Sequence, residues 1–375
     1  EVFEKRGIKV LFGNPSFIDS NSIKLNGKNI SAKRFMICTG SHPLVPPIDG
    51  LKDIDYLTNE TIFDLEVLPK SIAVLGGGPI GIEMSQALSR LGVKVSIIEM
   101  LDRLLFREDE ESAKVLSDVL TKDGIKAYTG QKAVKFSKEG ESVAITLEDK
   151  NGKSSVVKAE KTLIAIGRAA NVQGLDLEKA GVKYSNKGIE ADKTLRTSTK
   201  NIYAAGDVIG PYQFTHMAEY QAVIAVGNAL FPFKIKADYN TVPWCTFTEP
   251  EVAHLGFTES EARAHYKNIK VYRSRYSEND RAVTDLETEG FAKVICDKKG
   301  RIIGAHIAGP RAGELLHEYV LAKSAKLNIG KLSSAIHIYP TLSQVVKRTG
   351  DQYLSGILQS KWFSIFSKFM LKLLR

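Results

Sequence analysis

Along residues 71–100 the spacing of apolar positions changes period twice. "IAVL" (72–75) is a continuous aliphatic run, the pattern of a strand buried on both faces. In "IEMSQALSRL" (82–91), Ile82, Ala87, Leu88 and Leu91 recur at helical spacing, and "VKVSIIE" (93–99) returns to strand. A glycine-rich turn joins the first strand to the helix, so the stretch predicts a complete β-α-β unit. "VAITLEDKNGKSSVVKAEKTLIAIG" (143–167) alternates apolar with polar residues around an Asn-Gly turn, a hairpin signal. "THMAEYQAVIAVGNAL" (215–230) reads as a helix, and "RIIGAHIAGPRAGELLHEYVLAKSAKL" (301–327) as strand, turn and helix. "TESEA" begins with a capping box from Thr258 to Glu261. Toward the end, Leu354, Leu358, Trp362, Phe366, Met370 and Leu373 form one helical stripe, with Lys361, Lys368 and Arg375 largely opposite. No repeat or low-complexity tract interrupts the pattern.

The turn carries chemistry. Gly76, Gly78 and Gly81 give G-x-G-x-x-G between strand and helix. The first glycine permits the tight turn, the second lets backbone approach a pyrophosphate, and the third lets helix and strand pack closely. The helix N-terminus adds unpaired N–H groups and the positive end of a dipole. Glu99 ends the second strand, where a carboxylate accepts hydrogen bonds from ribose hydroxyls. The expected ligand is a nicotinamide dinucleotide, against the plain alternative of a glycine-rich turn with no ligand. Glu99 would repel a 2′-phosphate, which favours NAD(H) over NADP(H). Arg103 and Arg107, close behind, pull the other way.

Composition narrows the rest. The chain has 375 residues, enough for two or three domains, with 43% hydrophobic and 25% charged residues, ordinary for a globular protein. No apolar run reaches membrane-spanning length. The net charge is +9. The last 24 residues hold Lys361, Lys368, Lys372 and Arg375 and no acid, so the remainder is +5 (9 − 4), too mild to call for nucleic acid. Cys38, Cys245 and Cys296 are far apart and form no CxxC or CxxxxC pair, so no metal site or local redox disulfide is read. The sequence starts at Glu1 and is expected to be a piece of a longer protein.

Three further stretches, with the glycine turn, carry a resemblance. "CTGSHPLVPPIDG" (38–50) resembles the A-T-G-S-x-P segment of two-dinucleotide flavoproteins. "TLRTSTKNIYAAGDVIG" (194–210) resembles their second flavin motif, and "VPWCTFTEPEVAHLGFTESEA" (242–262) the opening of their dimerisation domain. In order and spacing the chain is similar to the pyridine nucleotide-disulfide oxidoreductases, the group that includes dihydrolipoamide dehydrogenase, glutathione reductase and mercuric reductase. The resemblance covers residues 1 to about 352. It implies an α/β fold in which a Rossmann-like NAD domain is inserted in a partial FAD domain, followed by an α+β dimerisation domain. The expected boundaries are residues 1–50 for part of the FAD domain, 51–170 for the NAD(P) domain, 171–240 for the return to the FAD domain, 241–352 for dimerisation and 353–375 for a basic amphipathic helix.

The resemblance implies FAD and NAD(H) as cofactors, a homodimer, and a small-molecule or metal-ion electron acceptor. It brings Thr39, Gly40, Ser41, Asp207 and Ala218 to the flavin. Glu83, Gly167 and Arg168 join Gly76, Gly78, Gly81 and Glu99 as cofactor contacts. Asp207 and Thr39-Gly40-Ser41 each follow a strand, at the end where ligands sit in open α/β sheets. Without the resemblance, Asp207 reads as a turn aspartate and His216 as a structural histidine.

Two departures shape the expected chemistry. The family's first glycine-rich unit and its C-x-x-x-x-C disulfide are not in this sequence. In "HIYPTLSQ" (337–344), Tyr339 stands where the family has its acid/base His and Gln344 where it has the Glu that polarises it. Tyrosine, with an ordinary pKa near 10, is a poor base at neutral pH, and a neutral amide does not stabilise an imidazolium, so ordinary dithiol exchange is not expected. His337, two residues earlier, would share Tyr339's face in a strand. Mercuric reductases and soluble transhydrogenase-like members of the family also carry Tyr here, and "RLLFREDEE" (103–111) leans toward the mercuric reductase-like branch, although no terminal Cys pair is seen. The expectation is a cytoplasmic or membrane-associated flavoprotein oxidoreductase. Its alternatives are a dinucleotide-binding and dimerisation module without turnover, and a membrane-associated scaffold.

Overall fold

The structure is a computed structural model that describes residues 2–373, apart from the side chains of Trp362 and Leu373. The chain separates into two compact units. One takes in the residues up to Leu44 together with Arg168–Tyr239, and the other Val45–Gly167 together with the residues from Asn240 onward.

In the first unit, strands Ser16–Asp19, Ser22–Leu25 and Lys28–Ser31 make an antiparallel sheet. Phe35–Ile37 pairs in parallel with Ile202–Ala204, and Ser41–Pro43 pairs antiparallel with Arg168–Ala170. Phe17, Ile37, Leu177, Ile202 and Val208 share one core. Helix Thr215–Leu230 buries Met217, Ile224 and Ala225, and also Gln221 and Asn228. Both amides are satisfied, as buried polar groups must be. Gln221 Oε1 accepts the Gly206 N–H at 2.8 Å, and Asn228 Nδ2 donates to the carbonyls of Thr194 (2.9 Å) and Ile235 (2.7 Å).

The second unit holds a five-stranded parallel sheet in the order Tyr56–Leu57, Lys161–Ile164, Ser71–Leu75, Lys94–Glu99, Lys126–Thr129. Helix Pro79–Arg90 connects the third of these to the fourth, and Glu110–Lys122 the fourth to the fifth. Ile72, Ala73 and Val74 are fully buried, which is why their run does not alternate. The Asn-Gly turn closes the hairpin Ser142–Asp149/Ser154–Ala159, with Asp149 Oδ1 accepting from the Asn151 and Lys153 amides.

The same unit contains an antiparallel sheet ordered Pro243–Thr246, Glu251–Gly256, Ile302–Gly309, Phe291–Asp297, Ile269–Arg275. Helices Ala312–Ser324 and Gln344–Leu358 contribute Leu316, Tyr319, Val345 and Val346 to its core. Thr258 and Glu261 form the expected capping box at helix Glu259–His265.

Two local expectations are corrected. Residues 337–339 are not a strand, so His337 and Tyr339 do not share a sheet face. Pro340 has no N–H to give a ladder. The C-terminal stripe is not one helix either. Gln344–Leu358 ends, and Lys361–Leu373 starts anew where Ser360 Oγ accepts the Phe363 N–H at 3.2 Å. Residues 353–358 therefore belong to the preceding helix. Of the stripe, the Trp362 and Leu373 side chains, and Arg375 opposite it, lie outside the described residues.

Candidate functional site

The glycine turn follows from packing that only glycine allows. Gly76 has φ +107, and a Cβ there would stand 2.4 Å from the Ala165 carbonyl oxygen. A Cβ on Gly81 would lie 2.0 Å from the Gly76 carbonyl oxygen. Gly78, the helix N-cap, differs. Its φ of −83 suits any residue, and a Cβ would meet nothing within 4 Å. The open space beside Gly78 is the cradle a pyrophosphate needs. No side chain caps this helix, and Pro79 opens it. The turn thus fits a dinucleotide phosphate at a helix N-terminus.

Glu99 closes the cradle from the side. Its Oε2 accepts the Gly77 N–H at 2.7 Å and its Oε1 accepts the Leu101 N–H at 2.8 Å. Both oxygens are fixed by backbone, and each retains a lone pair for a ribose hydroxyl. Arg103, considered from sequence as a 2′-phosphate partner, donates instead to the carbonyls of Leu105 (2.8 Å), Phe106 (2.7 Å) and Glu108 (2.9 Å). Its guanidinium holds the 103–108 loop closed. Arg107 is exposed. Glu83, on the same helix as Gly81, accepts the Phe247 N–H at 2.8 Å, and burial raises its carboxyl above the ordinary range against that bond. The structure thus gives Glu83 a packing partner in the antiparallel sheet segment.

In the other unit a cavity of about 680 Å³ is lined by Gly40, Arg168, Gly206, Asp207 and Ala218, with Cys38 at its edge. Ser41 Oγ donates to Asp207 Oδ2 at 2.6 Å and accepts from Arg168 Nε at 2.7 Å. Arg168 Nη2 also donates to the Ser41 carbonyl, and its Nε stands 3.8 Å from Asp207. Arg168–Ser41–Asp207 is a fixed chain that aims a half-buried carboxylate into the cavity. Thr39 Oγ1 donates to the Asn171 carbonyl at 2.7 Å, and Asn171 Nδ2 returns a bond to the Thr39 carbonyl at 2.8 Å. Gly167 and Arg168 part here. Arg168, expected as a cofactor contact, starts the strand paired with Ser41–Pro43. An acceptor carboxylate in a cavity lined by the small residues Gly40, Gly206 and Ala218 fits the hydroxyls and flat ring of a flavin. The chain holds no second G-x-G-x-x-G for a flavin's pyrophosphate.

Tyr339 lies on the loop before helix Gln344–Leu358, which Gln344 opens. Tyr339 is 69% exposed, and its hydroxyl donates to Asp280 Oδ2 at 2.8 Å. That bond and the Asp280 charge raise the phenol above its ordinary pKa. Gln344 Nε2 faces the carbonyls of His337 (3.4 Å) and Ile338 (3.3 Å), so it braces the loop. His337 is turned inward, its Nε2 2.9 Å from Glu318 Oε2 and its Nδ1 3.0 Å from the Ala335 carbonyl. The three cysteines are free, and burial holds the Cys245 and Cys296 thiols protonated.

A buried ionic cluster escaped the sequence reading. Lys293, 1% exposed, lies 2.5 Å from Asp109, 2.8 Å from Glu111 and 3.3 Å from Glu259. Beside it, His254 stacks on Trp244 at 3.8 Å and meets His306 edge-on at 4.7 Å. His254 Nδ1 lies 3.2 Å from Glu108 Oε2, and Trp244 Nε1 donates to Glu108 Oε1 at 2.6 Å. Lys293 and His306 are polar residues inside strands that are otherwise buried and apolar, and that was the available signal. The cluster ties the loop behind Glu99 to the antiparallel sheet.

The chain is similar to known proteins over most of its length. The family described as "Pyridine nucleotide-disulphide oxidoreductase" matches residues 1–222, and its dimerisation domain matches residues 242–349. Mercuric reductase of Staphylococcus aureus is 36% identical over 350 residues, covering 92% of this chain and 64% of that protein. Dihydrolipoyl dehydrogenase of Thermus scotoductus is 36% identical over 348 residues, covering 90% and 73%. Among solved structures, the HOCl-induced flavoprotein disulfide reductase RclA from Escherichia coli superposes with a TM-score of 0.85 at 28% identity, covering 92% of this chain and 79% of that one. The chain spans 64% and 54% of the lengths of the mercuric reductases of S. aureus and Bacillus cereus.

Proposed function

The chain belongs to the pyridine nucleotide-disulphide oxidoreductase family, and on that premise we propose that it works as an FAD-dependent NAD(P)H oxidoreductase. The observation that carries this reading is the presence, in one chain, of an open glycine cradle beside Glu99 and a cavity with a fixed carboxylate at Asp207. Bound together, the two cofactors supply hydride transfer from reduced nicotinamide to flavin and onward passage of electrons.

The chain's own residues bind and orient. The first-turn N–H groups of helix Pro79–Arg90 take the pyrophosphate, with Gly78 giving it room. Glu99 accepts from the adenosine ribose hydroxyls. The loop closed by Arg103 leaves that guanidinium no role at a 2′-phosphate, which favours NAD(H). Ser41 and Arg168 hold the Asp207 carboxylate toward the flavin's ribityl hydroxyls, and Gly206 and Ala218 leave space for the ring.

The functional assembly in this reading is a homodimer built on the antiparallel sheet, and helix Lys361–Leu373 brings it to a membrane surface. Tyr339, exposed and held by Asp280, offers its hydroxyl oxygen as a contact to a bound acceptor, and Gln344 keeps the loop in shape. Neither handles a thiolate as an imidazole would, so the acceptor is a small molecule or metal ion in place of a dithiol. Mercuric reductases among the relatives fit that class.

The test is the visible spectrum of the purified chain before and after NADH is added without oxygen, followed by NADH oxidation with a panel of acceptors. Flavin bands that bleach with NADH support the reading. A colourless chain that binds NADH yet turns over no acceptor supports the alternative, a binding and dimerisation module.

A further inference from the structure

Helix Lys361–Leu373 leaves large apolar side chains in water. Ile365, Phe366, Phe369 and Met370 are 69%, 44%, 59% and 39% exposed. At 3.6 residues per turn these four fall on one arc, which Phe363 extends. Lys361, Ser364, Ser367, Lys368 and Lys372 occupy the other, interrupted by Leu371. The helix is a separate element with its own cap at Ser360.

Charge says what covers the apolar arc. From residue 352 to the end of the sequence there are four cations and no acid. The last acid, Asp351, is already paired with Lys347 at 2.8 Å. A cationic rim around aromatic and aliphatic side chains complements a sheet of phosphates over hydrocarbon. A lipid surface also needs no shape-matched groove, so an uninterrupted run of bulky side chains suits it. Among the described residues no helix is long and apolar enough to span a membrane, and the thirteen residues Lys361–Leu373 reach about 20 Å.

We infer that helix Lys361–Leu373 lies in the plane of an anionic lipid surface, with Ile365, Phe366, Phe369 and Met370 below the headgroups and Lys361, Lys368 and Lys372 against phosphates. This rests on the membrane contact proposed above and names its lipid class. Each lysine near an anionic surface raises partitioning roughly fivefold, so three account for about a hundredfold preference over neutral lipid.

The experiment is pelleting of the full chain with sucrose-loaded vesicles of phosphatidylcholine alone or mixed with phosphatidylglycerol. Circular dichroism confirms that each variant is folded. The expected result is pelleting with phosphatidylglycerol, at least tenfold weaker with phosphatidylcholine. It should be reduced by high salt and lost both in K361E/K368E/K372E and in a chain ending at Ser360. Equal pelleting on both vesicle types overturns the anionic preference while leaving membrane contact standing. No pelleting on either overturns both. If the shortened chain pellets like the intact one, the helix is not the docking element. If shortening instead dissociates a dimer in light scattering without affecting pelleting, the apolar arc belongs to a second copy and the inference fails.

Discussion

Gly78 and Gly81 belong to the same short motif but do different jobs, and alanine separates them. At Gly81 a methyl would sit 2.0 Å from the Gly76 carbonyl oxygen and 3.3 Å from Val74 Cγ1. That oxygen is backbone, so helix Pro79–Arg90 must retreat from its strand by about 1 Å, a strain that costs about 1–3 kcal/mol. Better helix propensity returns up to about 1 kcal/mol, which brings the net loss to about 0–2 kcal/mol, most of it set by how far the helix is displaced. At Gly78 the methyl meets nothing and φ is already negative, so the free protein stays within about 1 kcal/mol of the parent, the difference being the cap preference. Both variants should bind NADH at least about tenfold more weakly, Gly81→Ala through misplaced amides and Gly78→Ala through the filled cradle. Urea unfolding read by tryptophan fluorescence and NADH titration give the two axes. The reasoning is refuted if Gly78→Ala binds NADH as well as the parent, or if the two variants lose the same stability.

Three further outcomes follow from the buried cluster and the cradle. Lys293→Met leaves the carboxylate of Asp109 buried without its cation, and should cost about 3–5 kcal/mol in urea unfolding, part of it regained in the double variant with Asp109→Asn. Burial, and then His254, push His306 down to about 3 against the pull of Asp109, and its Nδ1 has no hydrogen-bond partner. This folded value is depressed below the unfolded one, so the stability it contributes is complete above about pH 6.5 and lost as pH falls toward about 3. The unfolding free energy from urea titration should decline through that window at up to about 1.4 kcal/mol per pH unit, and His306→Gln should flatten the decline. Glu99→Gln removes the charge facing a 2′-phosphate, and the ratio of NADH to NADPH affinity from fluorescence titration should fall at least about tenfold.

What could be read in advance was local. The β-α-β unit, the Asn-Gly hairpin and the capping box each declare themselves within thirty residues, because period and turn chemistry are short-range. The open glycine turn beside Glu99 was legible for the same reason. The Arg168–Ser41–Asp207 chain was legible only as three isolated residues, since the bonds between them span more than a hundred positions. Lys293 and Asp109 are similarly remote, and an ion pair of that kind has no period. At the C-terminus the stripe predicted one helix, and a single serine able to cap a new one was enough to divide it. The face that His337 and Tyr339 would share in a strand does not form, because residues 337–339 are not a strand and Pro340 has no N–H for a ladder.

The two-part first unit has a bearing on how the chain is made. Phe35–Ile37 has its parallel partner at Ile202–Ala204, and Ser41–Pro43 has its partner at Arg168–Ala170. On a translating ribosome both early strands emerge long before the segments that complete them. At roughly 5–20 residues per second, the wait for the later strands is on the order of ten seconds. During that interval the 45–167 segment, whose sheet pairings are all internal to it, can close first. The early strands meanwhile present open edges, which makes the nascent chain a natural client for chaperones that shield unpaired β-structure.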